Sequence, residues 1–104
     1  MEYDFPIYMH ATGRVYQYAI DRPDGFPHFQ LLYCVRGSGG LEVCGKKYQV
    51  DKGHIIFLYP ETPHRYFPIE EPWEICWIVF GGYQIKQIAG LIGLQNSDAY
   101  ETSN

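Results

Sequence analysis

The sequence predicts an all-β domain, a β-sandwich or barrel of about seven short antiparallel strands followed by one C-terminal helix. Three observations carry this prediction. Eleven Gly and seven Pro residues divide the 104-residue chain into short runs. Most of these runs are rich in β-branched and aromatic residues, which favour strands. Only one segment, near the C-terminus, has apolar residues at helical spacing. Short strands separated by regular turn signals are typical of β-sandwiches and barrels.

Seven runs are predicted as strands, each bounded by Gly, Pro or Asp turn signals. In chain order they cover residues 14–20, 29–36, 41–44, 47–50, 54–58, 64–67 and 73–80. The glycine-rich segment at 37–40 is interpreted as a hairpin turn that needs positive φ angles. No helix start follows that segment, so it is not interpreted as a phosphate-binding loop.

The predicted hairpin has a definite register. With Gly39 at its centre, Arg36 would face Glu42 across the two strands as an ion pair. By the same count, Cys34 would face Cys44. A disulfide directly across two strands is strained, and three cysteines without CxxC spacing are typical of reduced thiols. We therefore expect free cysteines in a cytoplasmic protein.

The chain divides into four predicted segments: an N-terminal arm at 1–13, a barrel at 14–80, a helix at 83–94 and a polar tail at 95–104. The helix is predicted because apolar residues recur every three or four positions. Its apolar stripe consists of Ile85, Ile88, Ala89 and Ile92. Spacing alone leaves open whether this stripe packs on the barrel or on a partner subunit.

Composition and charge exclude several classes of function. The net charge is −4, and no run of Lys or Arg offers an electrostatic surface for nucleic acid, so we exclude a direct DNA binder of the usual kind. No apolar stretch approaches the ~20 residues of a membrane helix, and the first residues lack the basic region of a secretory signal. We expect a cytoplasmic protein without a membrane partner. The aromatic fraction of 17% calls for an explanation.

Patterns for covalent catalysis are weak. Ser38 lies among glycines without a GxSxG motif, and no Asp is placed to orient a histidine. Cys76 could act as a nucleophile with His64 as its base. Strand alternation, however, places Cys76 on the face opposite Trp77, so we interpret it as a core or wall thiol. We assign no catalytic residue.

The segment 53–66 runs from a glycine turn through an apolar strand and a Pro-rich turn to His64. This order resembles the second half of the cupin barrel motif, in which metal-dependent members use that histidine as one of four ligands. The other ligand positions fall near Gln30, Phe26 and Asp24, and His28 is two residues out of step. One or two ligands do not complete a metal site, so we expect neither a metal nor another cofactor. A small metal-dependent cupin enzyme, an isomerase or dioxygenase, remains the alternative.

Strand alternation predicts a pocket. Three sets of residues each share one strand face: Arg14, Tyr16, Tyr18, Ile20 and Arg22; His64 and Tyr66; and Trp73, Ile75, Trp77 and Val79. If these faces line the interior of the barrel, aromatic rings meet Arg and His side chains around one cavity. Aromatic stacking surfaces with a few polar groups are typical of a small-molecule site. The alternative is an ordinary aromatic core with Arg22 at its rim.

Five motifs in this order resemble the N-terminal effector-binding domain of AraC-family transcription regulators. They are DRPDG at 21–25, YCVRGSG at 33–39, GHIIFLYP at 53–60, PHRY at 63–66 and WEICWIVF at 73–80. The resemblance spans about residues 14–94. It implies a cupin-like half-barrel or jelly roll that binds a sugar or another small metabolite. It also implies helices that pair two subunits into a homodimer.

The same resemblance implies site residues. Arg22, Tyr66 and Trp77 match positions that hold the sugar in the arabinose-sensing member of the family. Ile75 stands where that member has a histidine, so one polar contact is missing and arabinose itself is not the expected effector. With the strand-face residues added, the candidate ligand-binding residues are Arg22, Tyr66, Trp77, His64, Tyr18 and Ile75. The arm residues Tyr3, Phe5, Ile7 and Tyr8 could close over the ligand as a lid, or form a frayed terminus.

The resulting prediction is a non-enzymatic sensing domain. Binding of a small molecule, expected to be a carbohydrate, would control a separate helix-turn-helix domain. That DNA-binding part has no counterpart after Phe80, so contact with DNA is expected only through a missing C-terminal domain. A free-standing carbohydrate-binding module is a further alternative.

Overall fold

The computed structural model describes residues 8–82, 84–91, 93 and 98–101. Its strands are β1 (Tyr8–Tyr16), β2 (Ile20–Arg22), β3 (Phe29–Val43), β4 (Lys46–Asp51), β5 (His54–Leu58), β6 (His64–Gly81) and β7 (Asp98–Glu101). The helix α1 (Ile85–Leu91) lies between β6 and β7 along the chain. All strand pairs are antiparallel, so the prediction of an all-β fold with one short helix is confirmed.

The two long strands β3 and β6 form the axis of the sheet. They pair with each other from Phe29 opposite Phe80 to Val43 opposite His64. On its other edge, β3 pairs first with β5 and then with β4, while β6 pairs first with β2 and then with β1. Register shifts between Cys34 and Gly39 mark the point where β3 changes neighbour. The sheet therefore has two halves that are joined through the same two strands.

The hairpin predicted at residues 37–40 is wrong. β3 continues through these residues and turns only at Cys44 and Gly45, both of which have positive φ angles. Gly37 has a positive φ angle within the strand, and Gly39 and Gly40 are needed for close packing against aromatic rings. A Cβ atom on Gly39 would overlap the indole ring of Trp73, which is buried in the core. The position requires glycine because of a neighbouring ring rather than because of a turn.

The ion pair predicted between Arg36 and Glu42 is also wrong, for the same reason. Without a turn at residues 37–40, Arg36 lies opposite Glu74 in β6. Glu42 lies opposite Arg65 in β6, and their charged atoms are 3.9 Å apart. Glu42 thus meets a cation across the β3–β6 pairing, whereas Glu74 forms its ion pair with Arg14 of β1.

The three cysteines lie in different environments, and none forms a disulfide with another described residue. Cys34 is buried, with its sulfur 3.5 Å from the carbonyl oxygen of Gly37, and burial raises the pKa of its thiol. Cys44 is exposed in the β3–β4 turn, and Cys76 is half-buried. The predicted pairing of Cys34 with Cys44 is wrong, because Cys44 occupies the turn itself.

The strand predicted at 14–20 is two strands, and the first begins earlier. β1 starts at Tyr8, so residues 8–13 of the predicted arm pair with β6. Between β1 and β2 the backbone N–H of Gln17 donates to the carbonyl oxygen of Trp73 at 2.7 Å. The predicted lid positions 3, 5 and 7 lie outside the described residues.

The C-terminal segments differ from the prediction in extent. α1 buries Ile85 and Ala89, two members of the predicted apolar stripe. Positions 83, 92 and 94 of the predicted helix lie outside the described residues. The predicted polar tail contains β7, which pairs with β5 and covers its free edge. Within the described residues, no helix has the length and apolar character needed to cross a bilayer.

Side chains on opposite faces of the sheet form two apolar groups. Inward residues of β3, β4, β5 and β6 make the main core: Leu32, Cys34, Leu41, Val43, Val50, Ile56, Leu58, Tyr66, Trp73 and Ile75. On the other face, Phe29, Phe57, Tyr59 and Phe80 stack with ring centroids 5.1 to 6.0 Å apart. Much of the aromatic excess is therefore structural.

Replacing Gly39 with alanine tests the packing role of this glycine. The added Cβ must displace the buried Trp73 ring, so we expect the free energy of unfolding to fall by about 1–3 kcal/mol. Urea unfolding followed by tryptophan fluorescence measures it. Gly90→Ala is the matched control, because a Cβ there meets nothing within 4 Å and alanine stabilises a helix by up to about 1 kcal/mol. Equal effects of the two changes would contradict the packing role.

Candidate ligand-binding site

A cavity of about 450 Å³ lies between β1, the β1–β2 connection and the inner faces of β3 and β6. Its apolar lining comprises Val15, Ile20, Phe26, Leu32, Trp77 and Val79. Its polar lining comprises Arg14, Gln17, Tyr18, Arg22, Gln30 and Tyr66. A largely apolar cavity of this volume with a few converging polar groups is the usual form of a small-molecule site.

Pairing of β2 with β6 places Arg22 directly opposite His64. The Nη1 atom of Arg22 lies 3.3 Å from Nε2 of His64 and 3.1 Å from the hydroxyl oxygen of Tyr66. The rings of His64 and Tyr66 are buried and stack almost in parallel, with centroids 5.7 Å apart. The Arg22 guanidinium also lies over the ring of Phe26 at 4.8 Å. Three rings and two hydrogen bonds therefore fix this cation at the cavity wall.

The hydrogen bonds of His64 define its tautomer. Nδ1 lies 2.8 Å from the carbonyl oxygen of Thr62, which can only accept, so Nδ1 carries the proton. Nε2 is then the acceptor for Arg22. Burial lowers the pKa of His64, the Thr62 contact opposes this, and the Arg22 cation lowers the pKa further. His64 is thus neutral, and its Nε2 atom accepts a hydrogen bond from Arg22.

Tyr66 is held as a neutral phenol. Burial raises its pKa, and the nearby Arg22 cation opposes that shift. Because the phenol oxygen accepts a hydrogen bond from Arg22, its own O–H group remains able to donate into the cavity.

Trp77 reaches the cavity because its neighbour on β1 has no side chain. It pairs with Gly13, and a Cβ atom at that position would overlap the indole ring. The half-buried indole lies over the bare β1 backbone and forms one wall of the cavity.

Gln30 lines the cavity, although the sequence pointed to it only as a ligand position of the cupin motif and it is not among the six predicted site residues. Only 5% of its surface is exposed, and Oε1 has no hydrogen-bond partner among the described residues. A signal was present in the sequence, since Gln30 is the one amide on the inward-facing positions that continue with Leu32 and Cys34. A polar residue at a buried strand position calls for a partner.

The six predicted site residues fall into three groups. Arg22, Tyr66 and Trp77 line the cavity, and Tyr18 lies at its mouth with 67% of its surface exposed. His64 lies behind Arg22 and does not line this cavity. Ile75 does not line it either, because its side chain is fully buried in the main core. Strand alternation correctly placed Ile75 on the inward face of β6. It did not show that this part of the face packs in the main core rather than against the cavity.

A second, more open groove of about 420 Å³ lies beside the β3–β4 turn. Charged side chains of both signs line it: Asp21, Glu42, Lys46, Lys47 and Arg65. Neither there nor elsewhere in the described parts of the chain do three His, Cys, Asp or Glu side chains group as a metal ion would require.

Solved structures resemble this fold at low sequence identity. A protein of unknown function from Pseudomonas syringae pv. tomato, in the DUF861 family, is 19% identical with a TM-score of 0.55, covering 74% of this chain and 31% of that one. Fatty-acid-bound ToxT from Vibrio cholerae is 11% identical with a TM-score of 0.51, covering 71% and 28%. Hydroxypropylphosphonic acid epoxidase from S. wedmorenis is 14% identical with a TM-score of 0.49, covering 67% and 40%.

These similarities concern the fold alone, and the chain spans less than half the length of each of the three proteins. A search of curated protein sequences gives no significant match. A family model described as the AraC-like ligand binding domain matches residues 9–102, which is most of the chain. The resemblance noted in the sequence is thereby confirmed. The chain belongs to the family of AraC-like ligand-binding domains.

Proposed function

We propose that this chain is the effector-sensing domain of a transcription regulator and that the effector occupies the cavity around Arg22, Tyr66 and Trp77. The observation that carries the proposal is the Arg22 cluster. Partly buried hydrogen bonds to His64 and Tyr66 hold a cation at the wall of a mostly apolar cavity. Such an arrangement positions donors before the ligand arrives, which lowers the entropic cost of binding.

A carbohydrate is the effector class that this lining supports. The indole of Trp77 offers an aromatic face on which the C–H side of a sugar ring can stack. Arg22 and the O–H group of Tyr66 offer donors to sugar oxygens. The family resemblance of the motifs around Arg22 and Tyr66 supports the same class.

Control of DNA binding would act through a separate helix-turn-helix domain in a longer, cytoplasmic protein. The net charge of −4, without a run of Lys or Arg in the sequence, does not favour direct contact with the DNA backbone. An effector shifts such a regulator only if it binds one arrangement of the domains more tightly than another. Pairing of two subunits, as the family resemblance implies, would transmit that difference.

Metal-dependent cupin catalysis fits these residues less well. His64 occupies the histidine position of the cupin motif, yet both of its ring nitrogens are engaged: Nδ1 donates to Thr62 and Nε2 accepts from Arg22. A metal ion at Nε2 would have to replace a cation that lies 3.3 Å away. The proposed role of this chain is therefore binding rather than catalysis. Stoichiometric iron, manganese, nickel or zinc in the purified protein would reverse this assignment.

Replacing Arg22 with alanine tests the site. Isothermal titration of the wild-type chain with pentoses, hexoses, uronates and disaccharides first identifies a binding sugar. Its affinity should fall at least about 10-fold in Arg22→Ala, because the sugar loses a charged donor and two buried acceptors lose their partner. Arg65→Ala is the matched control, since that guanidinium lies next to Glu42 in the open groove. Unchanged affinity in Arg22→Ala would remove Arg22 from the site.

The buried neutral His64 predicts a pH-dependent stability. Its pKa is lowered in the folded chain, whereas in the unfolded chain it stays near 6.5. As the pH falls below about 6.5, the unfolded chain takes up a proton that the folded chain does not, so stability present above that pH is lost. We expect a lower free energy of unfolding at pH 5 than at pH 7.5 in urea titrations. In His64→Gln, the difference in the free energy of unfolding between pH 5 and pH 7.5 should be smaller than in the wild type. The same pH dependence in both proteins would contradict a buried neutral imidazole.

A further inference from the structure

The positive charge of Arg22 is not compensated within the cavity. Both hydrogen bonds of its Nη1 atom go to neutral acceptors on His64 and Tyr66. Arg14, the other cation in the lining, forms an ion pair with Glu74. Asp21 precedes Arg22 but lines the separate groove beside the β3–β4 turn. Among the described residues, no carboxylate lines the cavity, so its wall carries one unpaired positive charge.

The free donors of Arg22 suit a carboxylate. A guanidinium has five N–H donors, and the two described hydrogen bonds both use Nη1. The remaining donors are on Nε and Nη2, and they form the edge that binds a carboxylate through two parallel hydrogen bonds. Such a charge-assisted pair is roughly twice as strong as a neutral hydrogen bond. Phe26, which packs against the guanidinium, and the apolar lining strengthen it by excluding water.

Gln30 requires a hydrogen-bond donor from the ligand, whereas Arg22 requires an acceptor. Its buried Oε1 has no donor among the described residues, and an unpaired buried acceptor is costly. A carboxylate has no proton to give, so it cannot serve Gln30. Oε1 has almost no accessible surface in this structure, so a hydroxyl group on the ligand donates to it only after the Gln30 amide turns toward the cavity.

Resting on the proposed sensing function, we propose that the effector is an acidic sugar of the uronic acid class. Its carboxylate pairs with Arg22, one of its hydroxyl groups donates to Gln30, and its ring stacks on Trp77. A neutral sugar of the same stereochemistry satisfies Gln30 and Trp77 but leaves the charge of Arg22 unpaired. The cavity therefore discriminates by the charge at a single carbon of the ligand.

Matched sugars test this discrimination. Isothermal titration compares D-galacturonate with D-galactose and D-glucuronate with D-glucose, which differ only in the oxidation state of C6. At least one uronate should bind the 104-residue chain at least about 10-fold more tightly than its neutral counterpart. Raising the salt concentration from 50 to 500 mM should weaken the uronate, because part of its affinity is an ion pair.

Gln30→Met isolates the second contact. Methionine has a similar length without the unpaired acceptor, so we expect the thermal midpoint of the ligand-free variant to equal or exceed that of the wild type. Affinity for the uronate should nevertheless fall at least about fivefold. A glutamine with a merely structural role would instead lower the midpoint and leave the affinity unchanged. Gln87→Met, at an exposed position of α1, is the matched control and should change neither quantity.

The possible results distinguish a failure of the uronate proposal from a failure of the proposed sensing function. If galactose or glucose binds as tightly as the corresponding uronate and still depends on Arg22, the acidic class is overturned while the sensing site stands. If no sugar in either set binds, the proposed carbohydrate effector fails and the uronate inference fails with it. Undiminished uronate affinity in Gln30→Met would overturn the role assigned to Gln30.

Discussion

The pairing of β3 with β6 is the constraint on which the rest of the structure depends. These two strands hydrogen-bond to each other along nearly their whole length, and every other strand except β7 pairs with one of them. Because β3 and β6 change their outer neighbours part-way, two half-sheets share one continuous backbone. Gly39 makes this possible at the bend, where a side chain would collide with the buried ring of Trp73.

The site follows from this arrangement. The half-sheet containing β2 contributes Arg22, held over His64 and Tyr66 of β6. The half-sheet containing β1 contributes the glycine that lets Trp77 lie across the backbone. Residues far apart in the chain thus surround one cavity, and backbone pairing sets the positions of Arg22, Tyr66 and Trp77. A rigid wall of this kind holds its polar groups in place before a ligand binds.

Burial and charge set the protonation states of the polar groups around the cavity. Burial keeps His64 neutral, so it can accept a hydrogen bond from Arg22 without neutralising the charge. Tyr66 accepts a second hydrogen bond and is likewise uncharged. Arg22 is therefore held in place without an ion-pair partner among the described residues, and within the same part of the chain the amide oxygen of Gln30 has no donor. A buried charge and a buried acceptor without partners are both costly, and the proposed uronate would satisfy both of them.

The sequence by itself determined the strand class, most strand positions and the motifs around Arg22, Tyr66 and Trp77, because alternation and turn residues are local signals. Tertiary structure decided the rest. A glycine required by a neighbouring aromatic ring cannot be distinguished in the sequence from a glycine required by a turn. The prediction of a hairpin at residues 37–40 was wrong for this reason. Alternation states which face a residue occupies but not whether that part of the face meets the core or a cavity. That is why Ile75 lies in the core and Gln30 lines the site.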